Sequence, residues 1–102
     1  MIRHIVIWRL KDEAQEKTRE ENALLIKKTL EALPAAIPVI RSLEVGINIM
    51  ASADASDIVL NTTFDSLSDL GEYQRHPEHV RFVEFLAGLK TEKRVVDYDI
   101  HA

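Results

Sequence analysis

The sequence predicts an α+β domain of the ferredoxin-like type, with the element order β-α-β-β-α-β. Two observations lead to this prediction. Apolar residues alternate with a period of two in four segments, and they recur at helical spacing in the segments between them. The chain has 102 residues, of which 46% are hydrophobic, so residues 1–102 are expected to form one domain around one core.

Four segments have the composition of β-strands, with β-branched and aromatic residues at alternating positions. They cover residues 2–10, 39–50, 57–65 and 93–101. The middle two are joined by the turn-forming sequence ASADASD, which predicts a hairpin-like connection. In this order the strands form a four-stranded antiparallel sheet that has its helices on one face.

Helical spacing predicts a first helix over residues 13–33. Ala23, Ile26 and Leu30 lie on one stripe, and charged residues occupy most of the other positions. The helix is expected to end before Pro34, because the residue preceding a proline disfavours helical backbone angles.

Two further helices are predicted after the third strand. Ser66 is the expected N-cap of the first, which ends near Arg75. His76 and Pro77 have the pattern of an N-cap and first residue of the second, since proline is tolerated where the backbone amide has no helical partner. This last helix is expected to end near Gly88.

The first strand is apolar on both faces, since His4, Val6 and Trp8 alternate with Ile5 and Ile7. The helices cover only one of these faces. Self-association is the simplest cover for the other face in a chain of this size. We therefore expect a homodimer that forms an α+β barrel.

Composition argues against several classes of partner and cofactor. The formal net charge is −4 and no long basic run is present, which argues against nucleic acid. The chain has no cysteine, so it offers no thiolate and needs no oxidising compartment. No apolar stretch reaches the length of a membrane span. We expect a soluble, cytoplasmic protein that binds neither nucleic acid nor membrane.

Three segments together resemble the stress-responsive A/B barrel family, abbreviated Dabb. They are HIVIWRLKDE near the start, GEYQRHPEHVRF in the middle and VVDYDI at the end. The most specific part is the spacing of Tyr73, His76, Pro77 and His79. The resemblance spans nearly the whole chain, and it implies a dimeric ferredoxin-like barrel in which two four-stranded sheets face each other.

The resemblance also implies site residues. The family includes a plant polyketide cyclase that performs an intramolecular aldol condensation without a cofactor, using a tyrosine and a histidine. By position these residues fall on Tyr73 and His79, and a further pocket histidine falls on His4. Ile26 stands at a first-helix position that is aromatic in the cyclase, so a cavity here would differ in shape and polarity.

The candidate catalytic residues suit acid–base chemistry. His79 is predicted at the third position of the last helix, where the helix dipole disfavours the charged imidazolium. A neutral imidazole can accept a proton next to a carbonyl group, and the hydroxyl of Tyr73 can donate to the developing enolate. The residues expected to contact the substrate are His4, Val6, Trp8 and Ile26. No cofactor or metal is expected.

Structural roles fit the same residues. His79 and Tyr73 also suit packing or capping roles, and His4 also suits a hydrogen-bonded place in the core. His76 is expected to be a structural N-cap. Its spacing from His79 differs from the i, i+4 pair of helical zinc sites.

Asp97 and Asp99 alternate with Val96, Tyr98 and Ile100 in the last strand. The two carboxylates lie on one strand face and could form a pair, but a solvated strand face explains them equally well, and they are assigned no functional role.

Two functions of different classes fit these residues. The first is a cofactor-independent acid–base enzyme of the cyclase, isomerase or lyase type, acting on a small carbonyl compound. The second is a non-catalytic dimer that binds a small apolar ligand or acts in stress protection. Fold analogy with quinone-forming monooxygenases that share the dimeric barrel gives a third.

Overall fold

The computed structural model describes all 102 residues and has the predicted order of long elements. In chain order the elements are β1 (Ile2–Leu10), β2 (Glu13–Ala14), β3 (Lys17–Thr18), α1 (Arg19–Glu31), α2 (Leu33–Ala36), β4 (Ser42–Ile47), β5 (Ile58–Phe64), α3 (Leu67–Arg75), α4 (Pro77–Ala87) and β6 (Lys90–Asp99). None of the helices is long and apolar enough to cross a lipid bilayer.

The main sheet has the strand order β4-β5-β1-β6, and every neighbouring pair is antiparallel. The predicted ferredoxin-like fold is therefore confirmed. β1 lies between β5 and β6, so its residues from Ile2 to Trp8 have a partner on both sides. His4 lies opposite Thr62 of β5 and Asp97 of β6. Because paired residues of neighbouring strands point to the same face, His4, Thr62 and Asp97 all face the helices.

The core lies between the helices and one face of the sheet. The even-numbered residues of β1 are all buried, and they pack with apolar residues of α1 and β5 such as Ile26, Leu30 and Leu60. Each fully buried aliphatic side chain of this kind stabilises the fold by about 1.5–3 kcal/mol relative to an exposed one. The two-residue period of the strand thus fixes which side chains can reach the space under the helices.

The first helix begins later than the sequence pattern predicted, at Arg19 and not at residue 13. Residues 13–18 form the small β2–β3 hairpin, with Gln15 and Glu16 in its turn at φ values of 53° and 63°. Two successive positive φ values are typical of a tight hairpin turn. They are incompatible with a right-handed helix, so the helix cannot include this segment.

A capping box sets the true start of α1. The hydroxyl of Thr18 accepts a hydrogen bond from the amide of Glu21 at 3.2 Å, and the amide of Thr18 donates to the Glu21 carboxylate at 3.0 Å. The T-x-x-E pattern was the signal in the sequence that marks this boundary.

The bounds of three strands also differ from the prediction. β4 covers only Ser42–Ile47 of the predicted residues 39–50, and the segment from its end to Asp57 forms a loop. Arg9 holds this loop by donating to the carbonyl oxygens of Ala53 and Ala55 at 3.2 and 2.8 Å. β5 is one residue shorter at each end than residues 57–65. β6 begins at Lys90, three residues earlier than predicted, and ends at Asp99.

The face of the sheet away from the helices is open. Ile5 and Ile7 of β1 lie on it beside Val96 and Tyr98 of β6. Ile7, Val96 and Tyr98 are 37%, 59% and 42% exposed. Val96 and Tyr98 therefore do not pack against the core. Asp97, between them in the same strand, points to the opposite face, toward the helices.

Removing the Thr18 cap should destabilise the protein. We expect Thr18→Ala to lower the free energy of unfolding by about 1 kcal/mol, because an amide at the start of α1 loses its partner. Urea unfolding at a fixed protein concentration measures this change. Thr18→Ser, which keeps the hydroxyl, is the matched control and should stay within about 0.5 kcal/mol of the wild type. An unchanged midpoint for Thr18→Ala would show that the capping box does not define the helix start.

Candidate functional site

A small cavity of about 60 Å³ lies between the sheet and the α3–α4 pair, and has room for a ligand of a few heavy atoms. Its apolar wall consists of Val6, Trp8, Leu60, Phe82, Val83 and Leu86. Its polar wall consists of His4, Tyr73, Gln74, His79, Lys90 and Lys93. Larger clefts exist elsewhere, but none is lined by a histidine or tyrosine.

The break between α3 and α4 positions His79. His76 ends α3 and starts α4, and its Nδ1 accepts a hydrogen bond from the amide of Glu78 at 3.1 Å. The predicted N-cap role of His76 is thus what the structure shows. With Pro77 as the first residue of α4, His79 is the third, as predicted.

His79 is held by a backbone carbonyl. Its Nδ1 lies 3.1 Å from the carbonyl oxygen of Gln74. A carbonyl oxygen can only accept, so Nδ1 carries the proton, and in the neutral ring Nε2 is the basic nitrogen. Nε2 has no hydrogen-bond partner in the protein, on a residue that lines the cavity.

The surroundings keep His79 neutral. Burial lowers the pKa of His79 below its usual value of 6.5. The hydrogen bond to Gln74 opposes this effect, while the charges of Lys93 and His4 add to it. A half-buried neutral imidazole with a free Nε2 can act as a general base.

Tyr73 is only 1% exposed, and its ring packs against both histidines. The ring centroids are 4.5 Å apart for Tyr73 and His79, and 6.0 Å apart for Tyr73 and His4. Burial raises the pKa of Tyr73 well above its usual value of 10.0. The phenol therefore stays protonated and can act as a hydrogen-bond donor to a ligand oxygen.

His4 forms a pair with Asp97 that the sequence reasoning missed. Nδ1 of His4 contacts a carboxylate oxygen of Asp97 across the β1–β6 pairing. The carboxylate accepts, so Nδ1 carries a proton and the ring orientation is fixed. The sequence reasoning had placed Asp97 on a solvated face without a role. Only the strand register, which alternation alone does not give, puts it beside His4.

The structure separates the four residues that were expected to contact a substrate. His4, Val6 and Trp8 line the cavity. Trp8 is buried, packs edge to face on Phe82 with centroids 5.8 Å apart, and leaves its Nε1 without a partner. Ile26 does not line the cavity, because it is fully buried in the core under α1.

The chain has no group of three or more His, Asp or Glu side chains placed to hold a metal ion. His76 is already engaged as a helix cap, so it does not form a ligand pair with His79.

Comparison with known proteins places this chain in a family. Residues 2–100 match the sequence model of the Dabb family, described as the Stress responsive A/B Barrel Domain. The chain belongs to the Dabb family. The resemblance carried by the Tyr73–His79 segment is thereby confirmed over nearly the entire chain.

Two relatives show how far this similarity extends. The Dabb chain is 32% identical over 84 residues to a stress-response A/B barrel domain-containing protein of Arabidopsis thaliana. That alignment covers 82% of this chain but 30% of the relative, so the chain spans less than a third of the length of that protein. The Dabb chain is also 38% identical to a dimeric protein of ferredoxin-like fold and unknown function from Bacteroides fragilis. The TM-score is 0.84, and the match covers 97% of this chain and 95% of the Bacteroides chain.

A third similar structure is a hydroxynitrile lyase from Passiflora edulis. It is 22% identical, with a TM-score of 0.72 and coverage of 95% of this chain and 90% of the lyase. At this identity the similarity establishes a shared fold, and function has to be argued from the site.

The lowered pKa of His79 has a consequence for stability. Between the unfolded-state pKa of about 6.5 and the lower folded-state value, the unfolded chain binds the proton and the folded chain does not. We therefore expect His79 to cost the protein stability as the pH falls below about 6.5. Urea unfolding at pH 7 and at pH 5 measures this loss of stability. His79→Asn, whose side-chain amide can still donate to Gln74, should lose less unfolding free energy between the two pH values than the wild type does. Equal pH dependence in the two proteins would contradict a lowered pKa of His79.

Proposed function

We propose that this Dabb domain is a cofactor-independent acid–base enzyme acting on a small carbonyl compound, of the lyase, isomerase or cyclase type. The observation that carries the proposal is the hydrogen bond from His79 Nδ1 to the carbonyl oxygen of Gln74. It leaves a neutral imidazole whose only basic atom, Nε2, belongs to a residue of the cavity wall.

In the proposed reaction, Nε2 of His79 removes a proton from the carbon next to the carbonyl group. The electron pair of the broken C–H bond moves toward the carbonyl oxygen and forms an enolate. Tyr73, which burial keeps protonated, donates a hydrogen bond to the enolate oxygen. The enolate carbon then takes the proton back from His79, which exchanges the proton or shifts its position. Alternatively, the enolate carbon attacks a second carbonyl group of the same molecule and closes a ring, and the oxygen of that second carbonyl takes the proton from His79.

His4 and Asp97 support this chemistry as a second oriented imidazole. The carboxylate holds the Nδ1 proton of His4, so that the other ring nitrogen is free on a residue of the same cavity. A carboxylate behind an imidazole fixes its tautomer and its ring orientation. The apolar remainder of the wall excludes water and strengthens these electrostatic interactions.

The fold is compatible with enzymatic chemistry, since a chain of the same fold is described as a hydroxynitrile lyase. The shared fold implies by analogy only that the scaffold can hold a reacting site. The chemistry proposed for this chain depends on its own cavity residues.

A non-catalytic ligand-binding dimer is the second candidate. The unpartnered Nε1 of buried Trp8 favours it, because a ligand acceptor would satisfy that donor without any reaction. In that case, substitution of His79 would change the stability of the protein, and there would be no catalytic activity for it to reduce.

Proton exchange separates the two functions. We expect the protein to exchange deuterium into hydroxyacetone and methyl acetoacetate in D₂O, followed by NMR, faster than free imidazole does. His79→Asn should reduce the protein-dependent rate by about 100-fold or more, because the general base is lost. His101→Asn, at an exposed position, is the control and should retain the rate. Absence of protein-dependent exchange with either compound would favour the binding module, and oxygen uptake in the same samples would indicate oxygenase chemistry.

We also propose that the protein assembles as a homodimer through the open sheet face. Ile7, Val96 and Tyr98 form an exposed apolar strip there. The structural relative from Bacteroides fragilis, at 38% identity, is described as dimeric. Exposed apolar patches of this kind commonly mark interfaces.

A charge on the open face should prevent this assembly. We expect the wild type to sediment as a dimer at micromolar concentration and Val96→Glu to sediment as a monomer with unchanged circular dichroism, because the charge would be buried without a partner. Leu24→Glu, on the outer side of α1 at 62% exposure, is the control and should remain dimeric. A monomeric wild type would refute the proposed assembly.

A further inference from the structure

Two lysines give the cavity a charge that the proposed reaction does not use. Lys90 and Lys93 line it from β6, and no aspartate or glutamate is among the lining residues. The whole chain carries a formal net charge of −4, so this positive wall does not reflect a generally basic surface.

Neither lysine is neutralised by the protein. Neither ammonium group lies within ion-pair distance of a carboxylate, although seven ion pairs occur elsewhere. Two acidic residues share this strand face. Asp97 is engaged by His4 and lies four residues from Lys93, about 13 Å along an extended strand, and Asp99 lies two residues further on.

The position of Lys93 relates its charge to the reacting group. The strand register pairs Lys93 with Trp8, whose side chain also lines the cavity. Its charge reaches the imidazole of His79, where it disfavours a second positive charge. An anion bound near Lys93 would therefore lie beside the base and the indole donor together.

We propose that the cavity selects small keto acids, which are carbonyl compounds that carry a carboxylate, and that Lys93 and Lys90 together bind this carboxylate. A lysine ammonium group is a compact point charge with three donors, which can bind the oxygens of a carboxylate. The carboxylate would orient the ketone so that its acidic carbon faces His79. This inference rests on the proposed function for the identity of the ligand, but its binding part can be tested without turnover.

The test compares acetoacetate with its neutral methyl ester. Binding is followed by NMR shifts of the Trp8 indole, the only tryptophan of the chain, and of the His79 ring. We expect acetoacetate to bind about tenfold more tightly than the ester. The preference should decrease as ionic strength rises from about 0.01 to about 0.15 M, over which the screening length falls from about 30 to about 8 Å.

Variants assign the preference to the wall. Lys93→Gln should weaken acetoacetate about tenfold and leave the ester unchanged, and Lys93→Arg should restore most of the affinity because the charge returns. Lys28→Gln, at an exposed position on α1 outside the cavity, is the matched control and should bind acetoacetate as the wild type does.

The outcomes distinguish this inference from the proposed function. Lys93-dependent binding of acetoacetate without proton exchange would support the anion site and refute the enzyme. If the ester exchanges protons as fast as acetoacetate does, and Lys93→Gln leaves both rates unchanged, the enzyme is supported and the anion site is overturned. Equal binding of the two compounds, or no binding of either, would likewise overturn the anion site. The lysines would then serve only to keep the edge strand β6 from pairing with another chain.

Discussion

The pairing of β1 between β5 and β6 is the constraint on which the site depends. Because side chains alternate along a strand, the register that buries Val6 and Trp8 also turns His4 toward the helices. The same register places Asp97 and Lys93 of β6 on that side. A slip of one residue would turn all of these side chains to the open face. The hydrophobic energy that fixes the core therefore also fixes the polar residues of the cavity.

The α3–α4 break supplies the other half of the site. α3 brings buried Tyr73 over β1, and the cap at His76 changes the chain direction so that His79 returns toward Tyr73. A continuous helix would satisfy the carbonyl of Gln74 within its own backbone. Its interruption leaves that oxygen to hold the ring of His79. A local helix end thus becomes the device that sets the protonation state of the candidate base.

Sequence reasoning identified the parts of this arrangement that depend on local pattern. Alternation placed His4, Val6 and Trp8 on one face, and the His-Pro pair placed His79 at the third position of α4. It did not identify Asp97 as the partner of His4, because that contact depends on a strand pairing across 93 residues. Ile26 was placed at the site by resemblance, yet it is fully buried in the core and does not line the cavity. Gln74 acts through its backbone carbonyl oxygen. Every residue type has this group, so the sequence does not indicate the role of Gln74.

The central claim is that the free basic atom of the cavity is Nε2 of a neutral His79. The most direct test is the nitrogen-15 NMR spectrum of the histidine rings near neutral pH, with the His79 signals assigned by their loss in His79→Asn. The account predicts the neutral tautomer protonated at Nδ1, with Nε2 showing the shift of an unprotonated nitrogen. A ring protonated at Nε2 alone, or on both nitrogens, would contradict it, because the cavity would then contain no base at that position.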